Sequence, residues 1–183
     1  MKLMVASDIH GVLSGCEKML EAYLRERAER LVLLGDLLYH GPRNGVPQGY
    51  DPVRVTSLLN SIKEEILCVR GNCEAEVDQM VLEFPILADY AFLMVDSINL
   101  FCTHGHLYDR DKLPPLKNGD IVLYGHTHIQ KIEHWGPNGK ILAVNPGSVS
   151  LPKDGNPPTY LIYEDGVFTI KSMDGTMVQS TSV

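Results

Sequence analysis

Asp8 and His10 stand two residues apart, as do His126 and His128, and each pair sits where a short apolar run gives way to polar residues. Asp36 follows Gly35, Asn72 follows Gly71, and His104 precedes Gly105 in the same kind of place. These side chains offer carboxylate, imidazole and amide oxygen. That set suits Mn²⁺, Fe or Zn²⁺ better than ions that prefer thiolate. Seven such donors exceed what one catalytic Zn²⁺ takes. They suffice for two ions sharing one carboxylate, the arrangement that clamps the attacking and leaving oxygens of a displacement. Residues two apart on an extended strand face the same way, so each pair can aim at one volume.

Delivery of these groups to one place requires strands that end together. Lys2 to Ser7, Leu31 to Leu34 and Ile66 to Val69 read as buried strands, ending at Asp8, at Gly35-Asp36 and at Gly71-Asn72. Ile98 to Cys102 and Ile121 to Tyr124 end near His104 and His126. Ligands of open α/β sheets bind just beyond the carboxyl ends of strands. The adjacent glycines allow the sharp turns this needs.

Between the first strands the pattern is helical. Ser14 and Glu17 have the form of a capping box, followed by a face of Cys16, Leu20, Tyr23, Leu24 and Ala28. Asp51-Pro52 starts a second helix with Val55, Leu58, Leu59 and Ile62 as its stripe. Tyr39 to Tyr50 is a Gly/Pro-rich loop. Beyond it come hairpins turning at Asp96-Ser97, at residues 136–139 and at residues 164–166. The last residues, 176–183, show little periodicity and are expected to fray. A βαβαβ half followed by a strand-rich half predicts one α/β domain over 1–183, with two packed sheets and outer helices.

Composition sets the outer limits. The 183 residues are 44% hydrophobic and 21% charged, which excludes disordered, collagenous and coiled-coil classes. A net charge of −7 argues against a dedicated nucleic-acid surface. No apolar run is long enough for a membrane helix, and the N-terminal run is too short for a signal peptide. The four cysteines form neither a CxxC nor a disulfide scaffold. A cytoplasmic location follows as an expectation. A dimer or tetramer stays open, since exposed sheet edges allow one and no residue demands it.

Asp8-Ile9-His10, Gly35-Asp36, Gly71-Asn72, His104 and Gly125-His126-Thr127-His128 resemble, in order, the five blocks of the calcineurin-like metallophosphoesterases. The stretches Leu38 to Asn44, Arg70 to Glu74 and Asn145 to Ser150 are similar to the small bacterial phosphodiesterases of that superfamily. The resemblance implies a four-layer α/β sandwich of two mixed sheets flanked by helices. It implies two divalent ions, with Mn²⁺ first and Fe, Zn²⁺ or Ni²⁺ as substitutes. Asp8, His10 and His128 would hold one ion, Asn72, His104 and His126 the other, and Asp36 would bridge. The implied activity is hydrolysis of a small phosphodiester by a metal-bridged hydroxide. Two divalent ions, two carboxylates and that hydroxide leave the core at about +1, able to receive an anion despite the acidic chain.

The chain departs from the superfamily pattern at Cys73, where most members carry His. With Asn72 and His104 it joins the candidate catalytic residues. A thiol donates a hydrogen bond weakly, which predicts a preference for diesters over monoesters. Packing is the alternative role for Cys73. Arg43 either forks onto a phosphate oxygen or is a solvated loop residue. His106 and His40 stand near candidate ligands, and His134 reads as structural. Cys16, Cys68 and Cys102 read as core. Two other functions fit the same fold: a scaffold with weak or absent catalysis, and a phosphomonoesterase.

Overall fold

Leu3 and Val5 face one way on the first strand and Met4 and Ala6 the other, and all four are buried, so this strand has a core on each side. The structure is a computed structural model that describes residues 1–42 and 44–183; Arg43 lies outside the described residues. Strand β1 (Lys2–Ala6) pairs in parallel with β2 (Arg30–Leu33), which pairs in parallel with β3 (Ile66–Cys68). Parallel neighbours need a crossover. Helices α1 (Leu13–Glu26) and α2 (Pro52–Asn60) supply them and pack against each other. A short helix, α3 (Glu76–Gln79), follows β3.

Later strands complete two mixed sheets. Strands β4 (Tyr90–Val95), β5 (Ile98–Thr103), β6 (Ile121–Leu123), β7 (Lys131–Trp135) and β8 (Ile141–Asn145) form one, in the order β4-β5-β6-β8-β7. Strands β9 (Thr159–Glu164), β10 (Val167–Ser172) and β11 (Met177–Ser182) extend the other, in the order β11-β10-β9-β1-β2-β3. Val5, Val32, Leu100, Leu123 and Tyr163 meet between the sheets. Met4, Leu33, Cys16, Met19 and Leu59 fill the layer under the helices. The outer face of the second sheet carries Phe101, Val122 and Trp135, covered by Tyr108, Leu113 and Leu116 of the irregular segment that follows β5.

Three local expectations are corrected. Helix α1 starts at Leu13 with Val12 as its cap, not at Ser14, and no side chain caps it. The N–H of Leu13 goes to Gly49 O at 3.0 Å, and that of Cys16 to Val12 O at 3.1 Å, so the loop that carries His10 runs straight into the helix. Its buried face is Cys16, Met19, Ala22 and Tyr23; Leu24 is 72% exposed. Residues 176–183 do not fray: Phe168↔Thr181 and Ile170↔Gln179 pair β11 to β10. That strand rests on backbone hydrogen bonds with mostly exposed side chains, so it carries no hydrophobic alternation. The Asp51 cap is as expected, its carboxylate accepting from Arg54 N at 3.1 Å. Asp96 and Ser97 both take positive φ, as a two-residue hairpin turn requires.

Candidate metal centre

The ends of β1, β2, β3, β5 and β6 open on one side of the sandwich. Asp8 and His10 follow β1, Asp36 follows β2, Asn72 follows β3, His104 follows β5, and His126 and His128 follow β6. Asp8, His10, Asp36, His126 and His128 all have φ between 51° and 66°. Left-handed backbone costs a residue with a side chain of order 1 kcal/mol. Five such residues in one cluster mark backbone bent to aim side chains, held by the packing beneath.

Close approach of the loops explains two glycines. A Cβ on Gly35 would stand 2.4 Å from the backbone nitrogen of Gly71, and Gly35 has a φ of +93°. A Cβ on Gly125 would stand 2.0 Å from Ser7 Oγ and 2.9 Å from Asp8 Oδ2. Either methyl group would push apart loops that carry candidate ligands.

Ring orientation is fixed from behind. The Nδ1 atoms of His10, His104 and His128 lie 2.8, 2.7 and 2.6 Å from the carbonyl oxygens of Tyr39, Leu34 and Leu151. A carbonyl only accepts, so each Nδ1 carries a proton and each Nε2 is turned inward, where an ion that displaces any proton on it can be ligated. His10 Nε2 and His128 Nε2 are 3.1 Å apart, 3.6 and 3.3 Å from Asp8 Oδ1. His104 Nε2 lies 3.1 Å from Asn72 Oδ1, 3.2 Å from His126 Nδ1 and 3.5 Å from Asp36 Oδ2. Asp36 Oδ2 is also 3.6 Å from His10 Nε2, so Asp36 stands between the two sets.

Three overlapping groups have donor atoms within 4.8 Å of one another: Asp8, His10 and His128; Asp8, Asp36 and His104; His10, Asp36 and Cys73. Asp8 Oδ1 is buried without a hydrogen-bond partner. A buried carboxylate oxygen left that way is costly. A cation among these lone pairs would relieve it, and the oxygen and nitrogen donors fit a divalent ion.

Burial alone would raise the Asp8 carboxyl, but the imidazoles of His10, His128 and His104 outweigh it and hold it well below the usual range. Asp36 is lowered in the same way, burial being overcome by His104 and the N–H of Cys73. Burial pulls His104 down, yet Asp36 and Asp8 lift it to about 9. His10 is raised against its burial by Asp8. His126 is lowered by burial and the charge of His104, and His106 falls to about 4 for the same reasons. Burial and the Asp36 carboxylate push the Cys73 thiol up, which keeps it protonated.

Residues outside the ligand set hold these loops in place. Glu74 takes the N–H groups of Asp36 at 2.8 Å, Leu37 at 2.6 Å and Gly71 at 2.5 Å, stapling the β2 loop to the β3 loop. Burial and the nearby Asp36 raise it to about 7. Asn145 donates to Gly125 O at 2.8 Å, and Ser148 donates to Asp8 O at 2.8 Å. The pocket above the cluster encloses about 260 Å³, and Lys153 and Asn44 line it beside Cys73. A lysine in a Pro/Gly-rich turn carries no sequence signal of this role. Sequence could have flagged Glu74 by its place in the Gly71-Asn72-Cys73-Glu74 run.

The remaining histidines divide. The ring of His106 is 5.3 Å from that of His104. His40 packs between Tyr39 and Tyr50, its buried Nδ1 unpartnered. His134 is exposed on β7. Cys16, Cys68 and Cys102 are buried in the apolar layers.

Residues 1–165 match the calcineurin-like phosphoesterase superfamily domain. The chain is 46% identical over 174 residues to phosphodiesterase YfcE of Escherichia coli strain K12, covering 95% of this chain and 93% of that one. It is 26% identical over 155 residues to phosphodiesterase MJ0936 of Methanocaldococcus jannaschii, covering 80% and 83%. The solved structure of the E. coli phosphoesterase Yfce superposes with a TM-score of 0.94 at 44% identity, covering 100% and 99%. Entamoeba histolytica Vps29 complexed with zinc shares the fold at a TM-score of 0.65 and 18% identity, covering 100% and 99%.

Proposed function

The chain belongs to the calcineurin-like phosphoesterase superfamily, and we propose that within it this protein is a metal-dependent phosphoric diester hydrolase with a two-ion centre. Its 46% identity to a phosphodiesterase over nearly the whole chain supports the reaction class. One observation carries the reading: seven donors from five strand ends converge while Asp8 Oδ1 stays buried without a partner.

Asp8 and the inward Nε2 atoms of His10 and His128 would hold one ion. Asn72 Oδ1, His104 Nε2 and His126 Nδ1 would hold the other. Asp36 would touch both, Mn²⁺ being the first candidate. When bound, such ions supply concentrated positive charge and make water acidic enough to attack phosphorus near neutral pH. Protein groups do the rest. Three backbone carbonyls fix the imidazole rings, so the inward Nε2 atoms are already oriented toward an ion. Lys153 offers an ammonium to a phosphate oxygen at the pocket mouth.

Cys73 lines that pocket, and its N–H holds Asp36 Oδ1 at 2.9 Å. Its raised thiol is a poor nucleophile and a weak donor to a departing oxygen. A monoester dianion with a poor leaving group suffers most from that weakness, which favours diesters. Cytoplasmic action belongs to the same proposal and is supported by four free thiols. Among the described residues, no helix is long and apolar enough to cross a membrane.

The direct test is hydrolysis of bis(p-nitrophenyl) phosphate and p-nitrophenyl phosphate by metal-stripped protein, before and after Mn²⁺ is added. Turnover that appears with Mn²⁺ and is faster on the diester is expected. Absent turnover, or faster turnover of the monoester, would overturn the reading.

A further inference from the structure

Cys73 lines two cavities: the polar pocket over the metal centre and an adjoining cleft of about 550 Å³. The second cleft is apolar and aromatic. Tyr39 and Tyr50 form one wall, Val53 of α2 another, and Val77 and Val81 close the far side. Val53, Val77 and Val81 are 75%, 65% and 49% exposed. Three valines in contact with water around one depression are unusual unless something covers them.

The cleft is built into the centre. Tyr39 supplies the carbonyl that fixes His10. A Cβ on Gly11 would meet the Tyr50 ring at 2.5 Å, so that ring rests on the loop that carries His10. The His40 ring lies 4.7 Å from the Tyr39 ring and 5.3 Å from the Tyr50 ring, holding both in place. Among the described residues, no Lys, Arg or His lines the cleft; its one charged group is the Asp78 carboxylate, which already accepts from Ala75 N at 2.8 Å. A second anionic group on the substrate would meet that carboxylate.

We infer that this cleft is the specificity subsite, receiving an uncharged, flat ester substituent such as an aryl ring while the phosphate sits over the metal centre. The inference rests on the phosphodiesterase reading. Aryl groups match the site because aromatic rings pack against tyrosine faces and valine methyls and need no hydrogen-bond partner. A nucleobase is the polar member of the same flat class, and an anionic substituent is disfavoured by the Asp78 carboxylate.

Two non-hydrolysable monoanions separate phosphate binding from cleft binding: diphenylphosphinate and dimethylphosphinate. Both present the same PO₂⁻ group. Titration calorimetry on the Mn²⁺-loaded protein should show diphenylphosphinate binding about tenfold tighter or more. Val53→Asp and Val77→Asp, alone and together, add charge on exposed helix-start positions that tolerate it. Each should cut the diphenyl preference, read as the ratio of the two affinities, and the pair should bring that ratio within about twofold. Bis(p-nitrophenyl) phosphate turnover by wild type is run in parallel. Turnover with equal affinities for the two phosphinates, or with a preference that survives both substitutions, overturns this inference alone. No Mn²⁺-dependent turnover overturns the underlying reading, and this inference falls with it.

Discussion

Glu74 holds Asp36 by its backbone: Glu74 Oε2 accepts the Asp36 N–H at 2.8 Å and the Gly71 N–H at 2.5 Å, while Oε1 takes Leu37 at 2.6 Å. One buried carboxylate thus joins the loop that bears the proposed bridging ligand to the loop that bears Asn72. Glu74→Gln would place an amide NH₂ against at least one of these N–H groups. An unmet buried donor costs about 1–3 kcal/mol, so urea unfolding should show a loss in that range. Turnover of bis(p-nitrophenyl) phosphate should fall about tenfold or more. Unchanged stability and turnover would show that the staple is dispensable.

Cys73→His restores a stronger hydrogen-bond donor beside the pocket. Half-buried Cys73 faces open volume, so the larger ring has room. Hydrolysis of p-nitrophenyl phosphate should rise relative to the diester, by several-fold in kcat/KM. An unchanged ratio would assign Cys73 to packing.

Lys153→Ala tests phosphate capture at the pocket mouth. An exposed ammonium acts through a screened field, so the effect should be a several-fold rise in KM that shrinks with added salt. Steady-state kinetics at low and high ionic strength read it. A salt-independent loss in kcat would contradict this role.

Glu26 provides a pH test remote from the centre. Its carboxylate is nearly buried and receives Lys171 Nζ at 2.8 and 2.9 Å, Tyr160 Oη at 2.8 Å and Lys2 at 3.4 Å. Burial alone would raise it; these partners outweigh burial and lower it. A lowered carboxyl stabilises the fold above its unfolded value and loses that stabilisation as pH falls through its folded value. Glu26→Gln should therefore cost about 1 kcal/mol at pH 7. The gap to wild type should close as pH drops below the ordinary carboxylate range. A gap independent of pH would mean that Glu26 acts by shape alone.

The candidate ligands were legible in sequence because each sits at the end of a buried apolar run, and the parallel strands within each sheet, β1-β2-β3 and β5-β6, end on one side. Asp8, His10, Asp36, Asn72, His104, His126 and His128 come together for that reason. The left-handed backbone at five of them was not legible: Asp and His are among the side chains that tolerate it, but most Asp and His residues do not adopt it, so residue type alone does not place it; the glycines hinted only that the chain turns. The start of α1 was misplaced because Ser14 and Glu17 imitate a cap, whereas the chain enters the helix from Gly11 through a hydrogen bond to the distant Gly49. Strand β11 has no signature in the sequence because edge pairing through the backbone leaves no periodic trace. Lys153 reaches the pocket only through the fold, from a turn far from the ligands in sequence.

Metal stoichiometry tests the two-ion centre most directly. Metal-free protein titrated with Mn²⁺ under equilibrium dialysis should bind about two ions per chain. His128→Ala should lose the ion assigned to Asp8, His10 and His128, and His104→Ala the one assigned to Asn72, His104 and His126, leaving about one ion in each variant. Binding of no ion by wild type, or an unchanged stoichiometry in both variants, would contradict the assignment of these side chains as ligands.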